Sequence, residues 1–366
     1  MRLTSAQKSA LERACEWFRS RKSQQVFRID GPAGSGKTSV VKAIIEAISA
    51  DAAYLAPTNK AADLLRKAGC QPVFTLHKAL YTTRSEEDEN SKRQILNFDS
   101  RFDDEHADNI IGDYELLVID EASMVGTMLA KELLRYERPT VVLGDRAQLA
   151  PVNDDAYFTN DRFVPIDVAL DTVVRQEAQS ELLRAATSLR LGRGFGNTGV
   201  FLGSKDIHDL GCELAQADQV LCHTNYQRLR INALTRKILG FTKGLHIGDK
   251  LVAKKNDYRN GIFKGTLWRV IEFEGPRARL LPWDSPPDTD PVDAVSVSVK
   301  GINSEHPEFE FGYAITVHSA QGSEWRNVII VGSRLPDRIA GSTSNRWWYT
   351  AVTRASDSAT AIVEPA

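Results

Sequence analysis

The stretch Gly31-Pro32-Ala33-Gly34-Ser35-Gly36-Lys37-Thr38 follows the apolar residues Val26, Phe27 and Ile29 and precedes a helix-like segment, Ser39 to Ile48. Glycines in such a turn allow successive backbone N–H groups to point inward around phosphate groups, and the following helix adds partial positive charge at its amino end. Lys37 supplies a point charge to the outer phosphates, and Thr38 offers a hydroxyl ligand to Mg²⁺. A flexible glycine turn is the alternative, but the order strand, glycine turn, helix favours a nucleoside triphosphate site.

The length of 366 residues predicts two sizeable cores, at roughly 100–200 residues per domain. The sequence contains no apolar run of about 18 residues, and its first residues lack the apolar core of a signal peptide. We therefore expect a soluble protein that stays in the compartment where it is made. No membrane partner is expected.

Charge and cysteine usage exclude some classes of protein. The four cysteines form no closely spaced pair and the seven histidines are scattered singly, so buried free thiols are a better interpretation than a metal cluster. The net charge of −2 argues against a generally basic nucleic-acid-binding surface. Nine acidic residues against four basic ones lie between Arg84 and Asp108, however, so the rest of the chain is net positive and leaves room for a basic groove.

A carboxylate pair, Asp120-Glu121, follows the continuous apolar run Leu116 to Ile119. An apolar run without alternation is typical of a strand covered on both faces. Asp120 is placed to hold Mg²⁺ through its water shell, and Glu121 to orient and deprotonate an attacking water. The alternative, two acidic residues that cap a helix, is plausible for the pair alone but weaker beside a phosphate loop.

Two glutamines are candidates for contacts to the nucleotide. Gln148 lies on the loop after a third buried strand, Thr140 to Leu143, where a neutral two-sided amide is suited to sensing a terminal phosphate. Three such strands, each ending in polar residues, predict a parallel sheet with a site along its carboxyl edge. Gln7 lies on an amphipathic helix, Leu3 to Arg19; its amide could pair with adenine, but the helix alone favours a solvated surface glutamine.

Further polar clusters suggest contacts to a phosphodiester. Pro57, Thr58 and Asn59 follow the short buried strand Ala53 to Ala56 and lead into a helix, a position suited to phosphate contact. The cluster around His77 is of the same kind, although His77 alone is better interpreted as a structural histidine.

The region from Thr82 to Gly112 is acidic and poorly apolar, and we interpret it as a hairpin-like projection. After Asp171 the α/β pattern begins again, so a second domain is expected. It is interrupted between Gly248 and Glu310 by segments with the composition of strands, which predict a small barrel-like module; they are residues 249–254, 261–265, 268–273 and 295–299.

These blocks, taken in order, resemble those of the RecD-like and Dda-like branch of superfamily 1 DNA helicases. The resemblance covers nearly the whole chain and is carried by the order of nine short blocks: Gln7, 31–38, 56–62, 75–80, 120–123, 144–152, Arg175-Gln176, 316–324 and 349–355. It implies an α/β fold of two RecA-like P-loop motor domains with parallel sheets and ATP in the cleft between them. The implied boundaries are residues 1–80 with 112–172, and 173–248 with 311–366, with a pin-like insertion at 81–111 and an SH3-like β-barrel at 249–310.

The resemblance also implies roles for individual residues. Gln7 would contact adenine, Lys37 with the rest of the phosphate loop would bind ATP, and Thr38 and Asp120 would hold Mg²⁺. Glu121 would activate water, while Gln148, Arg175 and Arg354 would read the terminal phosphate. Gln321, Gly322 and Glu324 would join the nucleotide site. Positions that match DNA contacts of the family are Pro57, Thr58, Asn59, His77, Asn225, Thr316 and His318. Phe98 and Phe102 are candidates for separating strands, with core packing of both the open alternative.

The function that the resemblance implies is an ATP- and Mg²⁺-dependent DNA helicase, monomeric, that moves 5′ to 3′ on single-stranded DNA and unwinds forked duplexes in replication, recombination or repair. The resemblance also implies a bacterial cytoplasm, or a host cytoplasm for a phage protein, and leaves open whether a single-stranded-DNA-binding or replication protein is a partner. One alternative is an ATP-switched single-stranded DNA-binding protein without unwinding, which the acidic insertion favours. Another is a small-molecule kinase, which would leave Arg354 on a second α/β domain unexplained.

Overall fold

The computed structural model describes residues 3–20, 24–87, 94–104, 108–171, 181–257, 260–286, 289, 293–303, 307–337, 339 and 341–365; for 83–87 and 94–98 it describes the backbone alone. The chain divides into two units, residues 1–178 and 179–366. None of the described helices is both long and apolar enough to span a bilayer. Arg175 lies outside the described residues.

The first unit is built from alternating strands and helices. In chain order they are α1 (Ser5–Ser20), β1 (Val26–Asp30), α2 (Lys37–Ile48), β2 (Ala52–Ala56), α3 (Asn59–Lys67), β3 (Val73–Thr75), α4 (Leu76–Leu80), β4 (Tyr81–Glu87), β5 (Gln94–Ser100), β6 (Leu116–Ile119), α5 (Thr127–Leu134), β7 (Thr140–Gly144) and β8 (Val168–Ala169).

Six of these strands form one parallel sheet in the order β3-β2-β6-β7-β1-β8. Every residue of β1, β2, β6 and β7 is buried, because helices cover both faces of the sheet. One apolar core includes residues of α1, α2 and α3, and a second core includes residues of α4 and α5. The carboxyl ends of β1, β6 and β7 therefore lie at one edge, where the predicted site residues follow each strand.

The acidic insertion begins as a two-stranded antiparallel ribbon. Tyr81 pairs with Ser100 where β4 and β5 join the rest of the unit, and Glu87 pairs with Gln94 at the far end of the described ribbon. Phe102 lies beyond β5, at the base of the ribbon, where the guanidinium carbon of Arg135 is 4.2 Å from the centre of its ring. The side chain of Phe102 is 46% exposed, so Phe102 is not a core residue, and its role in strand separation stays a prediction. The side chain of Phe98 lies outside what the structure describes.

The second unit contains another series of strands and helices. Its elements are α6 (Glu181–Arg190), β9 (Phe201–Ser204), α7 (Glu213–Gln216), β10 (Gln219–Cys222), α8 (Asn225–Ile238), β11 (Lys250–Ala253), β12 (Leu267–Glu274), β13 (Arg277–Pro282), β14 (Val295–Ser298), β15 (Phe309–Phe311), β16 (Ala314–Thr316), α9 (Val317–Ala320), β17 (Trp325–Gly332), α10 (Thr343–Val352) and β18 (Ala355–Val363).

Five strands of this unit form a parallel sheet in the order β16-β10-β17-β18-β9. The strands β10 and β16 are adjacent, with Cys222 in register with Thr316. The loops after both strands therefore meet at the carboxyl edge of the sheet, as they do in the first unit. The predicted α/β fold with parallel sheets is confirmed.

The five strands that lie between β10 and β16 in the sequence form a separate antiparallel sheet in the order β14-β13-β12-β11-β15. Its buried residues, including Leu251, Trp268 and Leu280, form their own apolar core. The strand predicted at 261–265 is wrong: the segment forms turns, and Ile262 makes an isolated bridge to Asp257. Gly261 and Gly265 there have φ of 65° and 88°, a left-handed conformation that breaks a strand.

Candidate nucleotide-binding site

The phosphate loop joins the end of β1 to the start of α2. Gly36 has φ of 80°, and a Cβ atom at this position would lie 2.4 Å from Nε2 of Gln7. A Cβ atom at Gly31 would lie 2.8 Å from the carbonyl oxygen of Leu170. Glycine is therefore required at Gly36 for its backbone conformation and its close packing, and at Gly31 for its close packing alone.

The ammonium group of Lys37 lies over the loop that precedes it. Its Nζ donates to the carbonyl oxygens of Gly31 at 2.7 Å and Pro32 at 3.0 Å. Thr38 follows in the first turn of α2. The loop thus brings a cation and a hydroxyl to the amino end of a helix, the arrangement that binds anionic phosphates.

Gln7 is buried and ties α1 to the phosphate loop. Its Nε2 donates to the carbonyl oxygen of Ser35 at 3.0 Å, and its Oε1 accepts from the backbone N–H of Thr4 at 3.0 Å. The sequence-based alternative of a solvated surface glutamine is therefore wrong, since Gln7 is 2% exposed. In this structure both the oxygen and the nitrogen of the side-chain amide are therefore hydrogen-bonded to the backbone of the protein. A Gln7 contact to adenine stays a prediction.

Asp120 and Glu121 follow β6 directly. The backbone N–H of Glu121 donates to Oδ1 of Asp120 at 2.8 Å. Burial and the neighbouring charge of Glu121 raise the pKa of Asp120 to about 6, partly offset by Lys37. Glu121 has φ of 51°, a left-handed backbone that costs a non-glycine residue about 1–3 kcal/mol and is concentrated at functional sites.

Unpartnered polar atoms lie on the loops that surround this edge of the sheet. Gln148 is 5% exposed, and its Oε1 has no hydrogen-bond partner among the described residues. The buried hydroxyls of Ser35 and Ser123 also lack partners within the described part of the chain. A buried polar group without a partner costs about 1–3 kcal/mol, which is tolerated where a ligand supplies the missing bond.

The predicted DNA-contacting residues of the first unit lie at two helix starts. Thr58 caps α3, where its hydroxyl accepts from the backbone N–H of Ala61 at 3.1 Å, with Pro57 before it and Asn59 after it. His77 lies on α4. Both helices begin directly after strands of the parallel sheet, so their first backbone N–H groups face the same edge.

Asn225, Thr316 and His318 occupy the corresponding edge in the second unit. Asn225 begins α8 after β10, and its Oδ1 accepts from Nε of Arg228 at 3.1 Å. Thr316 ends β16 and caps α9, which carries His318. The structure brings these three predicted residues to adjacent strand ends.

Arg354 and the loop from Gln321 to Glu324 lie together in the second unit. Arg354 is 4% exposed, and its guanidinium donates to the carbonyl oxygens of Thr350 at 3.1 Å and Ser323 at 3.3 Å. It also donates to the hydroxyl of Thr353 at 3.2 Å. Arg354 therefore links the end of α10 to the loop that contains Gln321, which is buried, and Gly322 and Glu324.

Sequence reasoning did not select two charged residues inside β1, Arg28 and Asp30. Their exposed fractions are 0% and 1%, and they bond each other at 3.0 Å. The available signal was a cation and a carboxylate at alternate positions of an otherwise apolar strand.

Comparison with known families identifies the chain. The model of the AAA domain family matches residues 2–205, and that of the UvrD-like helicase C-terminal domain matches residues 311–362. The chain belongs to the AAA domain family. Its relatives in sequence are named as RecD2 and dda DNA helicases, so the predicted resemblance to the RecD-like and Dda-like branch is confirmed.

Two relatives illustrate the similarity in sequence. The chain is 30% identical over 364 residues to the ATP-dependent RecD2 DNA helicase of Deinococcus radiodurans, a match that covers 90% of this chain and 46% of that protein. It is 26% identical over 315 residues to the ATP-dependent DNA helicase dda of Enterobacteria phage T4, covering 74% of this chain and 68% of that protein. The chain thus spans about half the length of the first relative.

The fold is shared with a Bacteroides Pif1 helicase whose crystal structure contains single-stranded DNA. The two chains align with a TM-score of 0.59 at 19% identity, covering 99% of this chain and 92% of that one. At this level of identity the likeness shows a common fold.

Proposed function

We propose that the protein is an ATP-dependent DNA helicase that moves 5′ to 3′ on single-stranded DNA and unwinds duplex DNA. The observation that carries the proposal is a convergence at the carboxyl ends of β1, β6 and β7. There the phosphate loop meets the pair Asp120-Glu121, with its left-handed backbone at Glu121, and the Gln148 amide oxygen, which has no partner among the described residues. The two relatives described above support it, since both are named ATP-dependent DNA helicases.

The residues at this edge fit a magnesium ion as well as ATP. Hard cations prefer oxygen ligands, and Asp120 and Thr38 supply a carboxylate and a hydroxyl. The raised pKa of Asp120 reports a buried carboxylate that lacks sufficient positive charge nearby, which a cation would provide. Bound Mg²⁺ would neutralise charge on the phosphates.

The chain's own groups divide the remaining work. Lys37 would leave the carbonyl oxygens of Gly31 and Pro32 for the outer phosphates, because a phosphate is a stronger acceptor than a carbonyl. Glu121 would accept a proton from the attacking water, and Gln148 would hydrogen-bond the terminal phosphate or that water. Arg354, and Arg175 by resemblance, would stabilise the charge that develops during transfer.

The domain assignments made from the sequence belong to the same proposal. We assign residues 1–80 with 112–172 and 173–248 with 311–366 to two motor domains, the ribbon within 81–111 to a pin, and the antiparallel sheet within 249–310 to an SH3-like module. Single-stranded DNA would contact the helix starts at Thr58, His77, Asn225 and Thr316. The direction of movement rests on the family resemblance.

A fluorescence assay on forked duplexes with either a 5′ or a 3′ single-stranded tail tests activity and direction together. We expect ATP-dependent strand separation on the substrate with the 5′ tail and none on the other. Steady-state ATP hydrolysis, measured with and without single-stranded DNA, separates the alternatives. Strong stimulation supports a motor, DNA binding without turnover supports an ATP-switched binding protein, and indifference to DNA contradicts both.

A further inference from the structure

The strand that leads into the phosphate loop contains a fully buried ion pair. Arg28 and Asp30 lie on β1, at 0% and 1% exposure, in a sheet whose neighbouring strands are apolar. Removing two charges from water costs several kcal/mol per ion, and a buried pair is often no more stabilising than apolar residues of the same volume. The pair therefore calls for an explanation other than the stability of the sheet.

The guanidinium of Arg28 donates hydrogen bonds to four oxygen atoms of other residues. Its Nη1 donates to Asp161 Oδ1 and the carbonyl oxygen of Val164, both at 2.8 Å, and its Nη2 donates to Asp30 Oδ1 and the carbonyl oxygen of Thr159, both at 3.0 Å. Because these bonds hold the planar guanidinium of Arg28 in one orientation, its bond to Oδ1 also fixes the position of the Asp30 carboxylate.

The Asp30 carboxylate in turn bonds the loop that carries Gln148. Its Oδ1 accepts from the backbone N–H of Arg146 at 3.1 Å. The next residue in the chain, Gly31, donates its backbone N–H to the carbonyl oxygen of Gly144 at 3.0 Å. Asp30 and Gly31, where β1 meets the phosphate loop, thus hold the end of β7 at Gly144 and the following loop at Arg146. Gln148 lies two residues beyond Arg146.

We propose that Asp30 is a positioning residue that fixes the Gln148 loop relative to the phosphate loop, with Arg28 as its support. The inference rests on the proposed function, since it assigns Gln148 to the terminal phosphate or the attacking water. A misplacement of about 1 Å costs up to about 10²-fold in rate, so a fixed distance between the two loops has kinetic value. In this role Asp30 acts through its hydrogen bond to the backbone N–H of Arg146.

Two substitutions at Asp30 separate the hydrogen bond from the charge. Asp30→Asn removes the charge but keeps an oxygen that accepts from the N–H of Arg146. Asp30→Leu keeps the branching and the number of side-chain heavy atoms, and removes both the charge and the acceptor. Both variants leave Arg28 with Asp161 as its remaining carboxylate partner, so both should melt at a lower temperature than the unmodified chain.

The chain offers a matched control in the second unit. Asp249 is also fully buried, accepts from Nε of Arg236 at 2.9 Å, and accepts from the backbone N–H of His246 at 2.8 Å. Asp249→Asn removes the charge and keeps an acceptor, and Asp249→Leu removes both, as at Asp30. Asp249 lies far along the chain from the phosphate loop. Both substitutions should lower the melting temperature with kcat per folded molecule unchanged.

The expected result for DNA-stimulated ATP hydrolysis differs between the two Asp30 variants. Asp30→Asn should keep kcat within a few-fold of the unmodified chain, whereas Asp30→Leu should lose on the order of 10²-fold in kcat with little change in KM for ATP. If the pair serves stability alone, kcat per folded molecule is unchanged in both variants. That result would overturn the proposal.

Amide hydrogen exchange provides a readout that does not depend on catalysis. In the ligand-free chain the amide of Arg146 should be protected, remain protected in Asp30→Asn, and exchange faster in Asp30→Leu. If Asp30→Leu fails to fold, a fast-exchanging Arg146 amide in the unmodified chain still overturns the proposal, and a slow one supports it. If the unmodified chain does not hydrolyse ATP, the proposed function is contradicted. The exchange result then still tests whether Asp30 holds the backbone of Arg146.

Discussion

Nζ of Lys37 lies 2.7 Å from the carbonyl oxygen of Gly31, the first residue of the loop that Lys37 itself ends. The lysine therefore closes the phosphate loop on itself through a neutral acceptor, and a phosphate competes for the same donor with full negative charge. This relationship predicts that the side chain matters for nucleotide chemistry and little for folding.

Lys37→Ala should abolish ATP turnover while the melting temperature changes little, because the substitution removes a half-exposed charge rather than core volume. Lys42→Ala is the matched control: Lys42 lies on the same helix and donates to the carbonyl oxygen of Ala68, away from the loop. Turnover and thermal melting of both variants provide the measurement. ATP hydrolysis by Lys37→Ala at the rate of the control would remove the basis for the motor assignment.

Glu121→Gln should bind ATP and DNA but hydrolyse ATP slowly, since the amide keeps the shape of the side chain and loses the basic oxygen. The control is Glu115→Gln, at the opposite end of β6, where Oε2 accepts from the backbone N–H of Asp51 at 3.2 Å. Affinity for a nucleotide analogue and the rate of a single turnover distinguish binding from chemistry. Loss of nucleotide binding in Glu121→Gln would show that the carboxylate holds the local structure instead.

How far the sequence predicts the fold depends on the kind of strand. The buried strands β2, β6 and β7 were predictable because a strand covered on both faces is a continuous apolar run bounded by polar residues. The strand β13 was missed. Its buried residues Ala278 and Leu280 alternate with Arg277 and Arg279, so two arginines dilute the apolar signal next to a turn at Gly275.

The parts of the candidate site that were predictable are those whose residues lie close together in the sequence. The phosphate loop and the Asp120-Glu121 pair each lie within a few residues of one strand end. The role of Asp30 was not predictable, because its partner Arg146 is 116 positions away, and Asp161 is 133 positions from Arg28. Only the parallel order of β1 beside β7 brings these charges together.

The stability of the second unit should fall as the solution becomes acidic. Burial, with Arg334 and His318 nearby, lowers the pKa of His223, whose ring centre is 5.0 Å from that of Trp347. Burial also lowers the pKa of His318. The unfolded chain therefore binds protons more readily than the folded chain, so the stability is present above the ordinary histidine pKa of 6.5 and is lost as the pH falls below it.

Thermal melting at about pH 7.5 and about pH 5.5 measures this effect. His223→Gln should reduce the drop in melting temperature between the two conditions, because one titrating group is removed. His208→Gln, at an exposed histidine of the same unit, should leave the drop as it is. An equal drop in all three proteins would show that other groups cause the acid sensitivity.

The last prediction concerns Arg354, whose guanidinium donates to Thr350, Ser323 and Thr353 in this structure. If Arg354 reads the terminal phosphate, N–H groups of its guanidinium donate to phosphate oxygens while charge develops. Arg354→Ala should then cost on the order of 10³-fold or more in DNA-stimulated turnover, the size of the loss of an arginine finger. Lysine at this position should restore little, since an ammonium group cannot reproduce the planar fork.

The competing account is that Arg354 only joins α10 to the loop at Ser323. It predicts a lower melting temperature for Arg354→Ala with turnover per folded molecule retained. Arg236→Ala supplies the reference, because Arg236 is another buried arginine of the same unit, bonded to Asp249 and the carbonyl oxygen of Gly244. Both variants should melt early, since each leaves buried acceptors unpaired. A selective loss of turnover in Arg354→Ala assigns the guanidinium to the phosphate, whereas equal behaviour of the two variants assigns it to the loop.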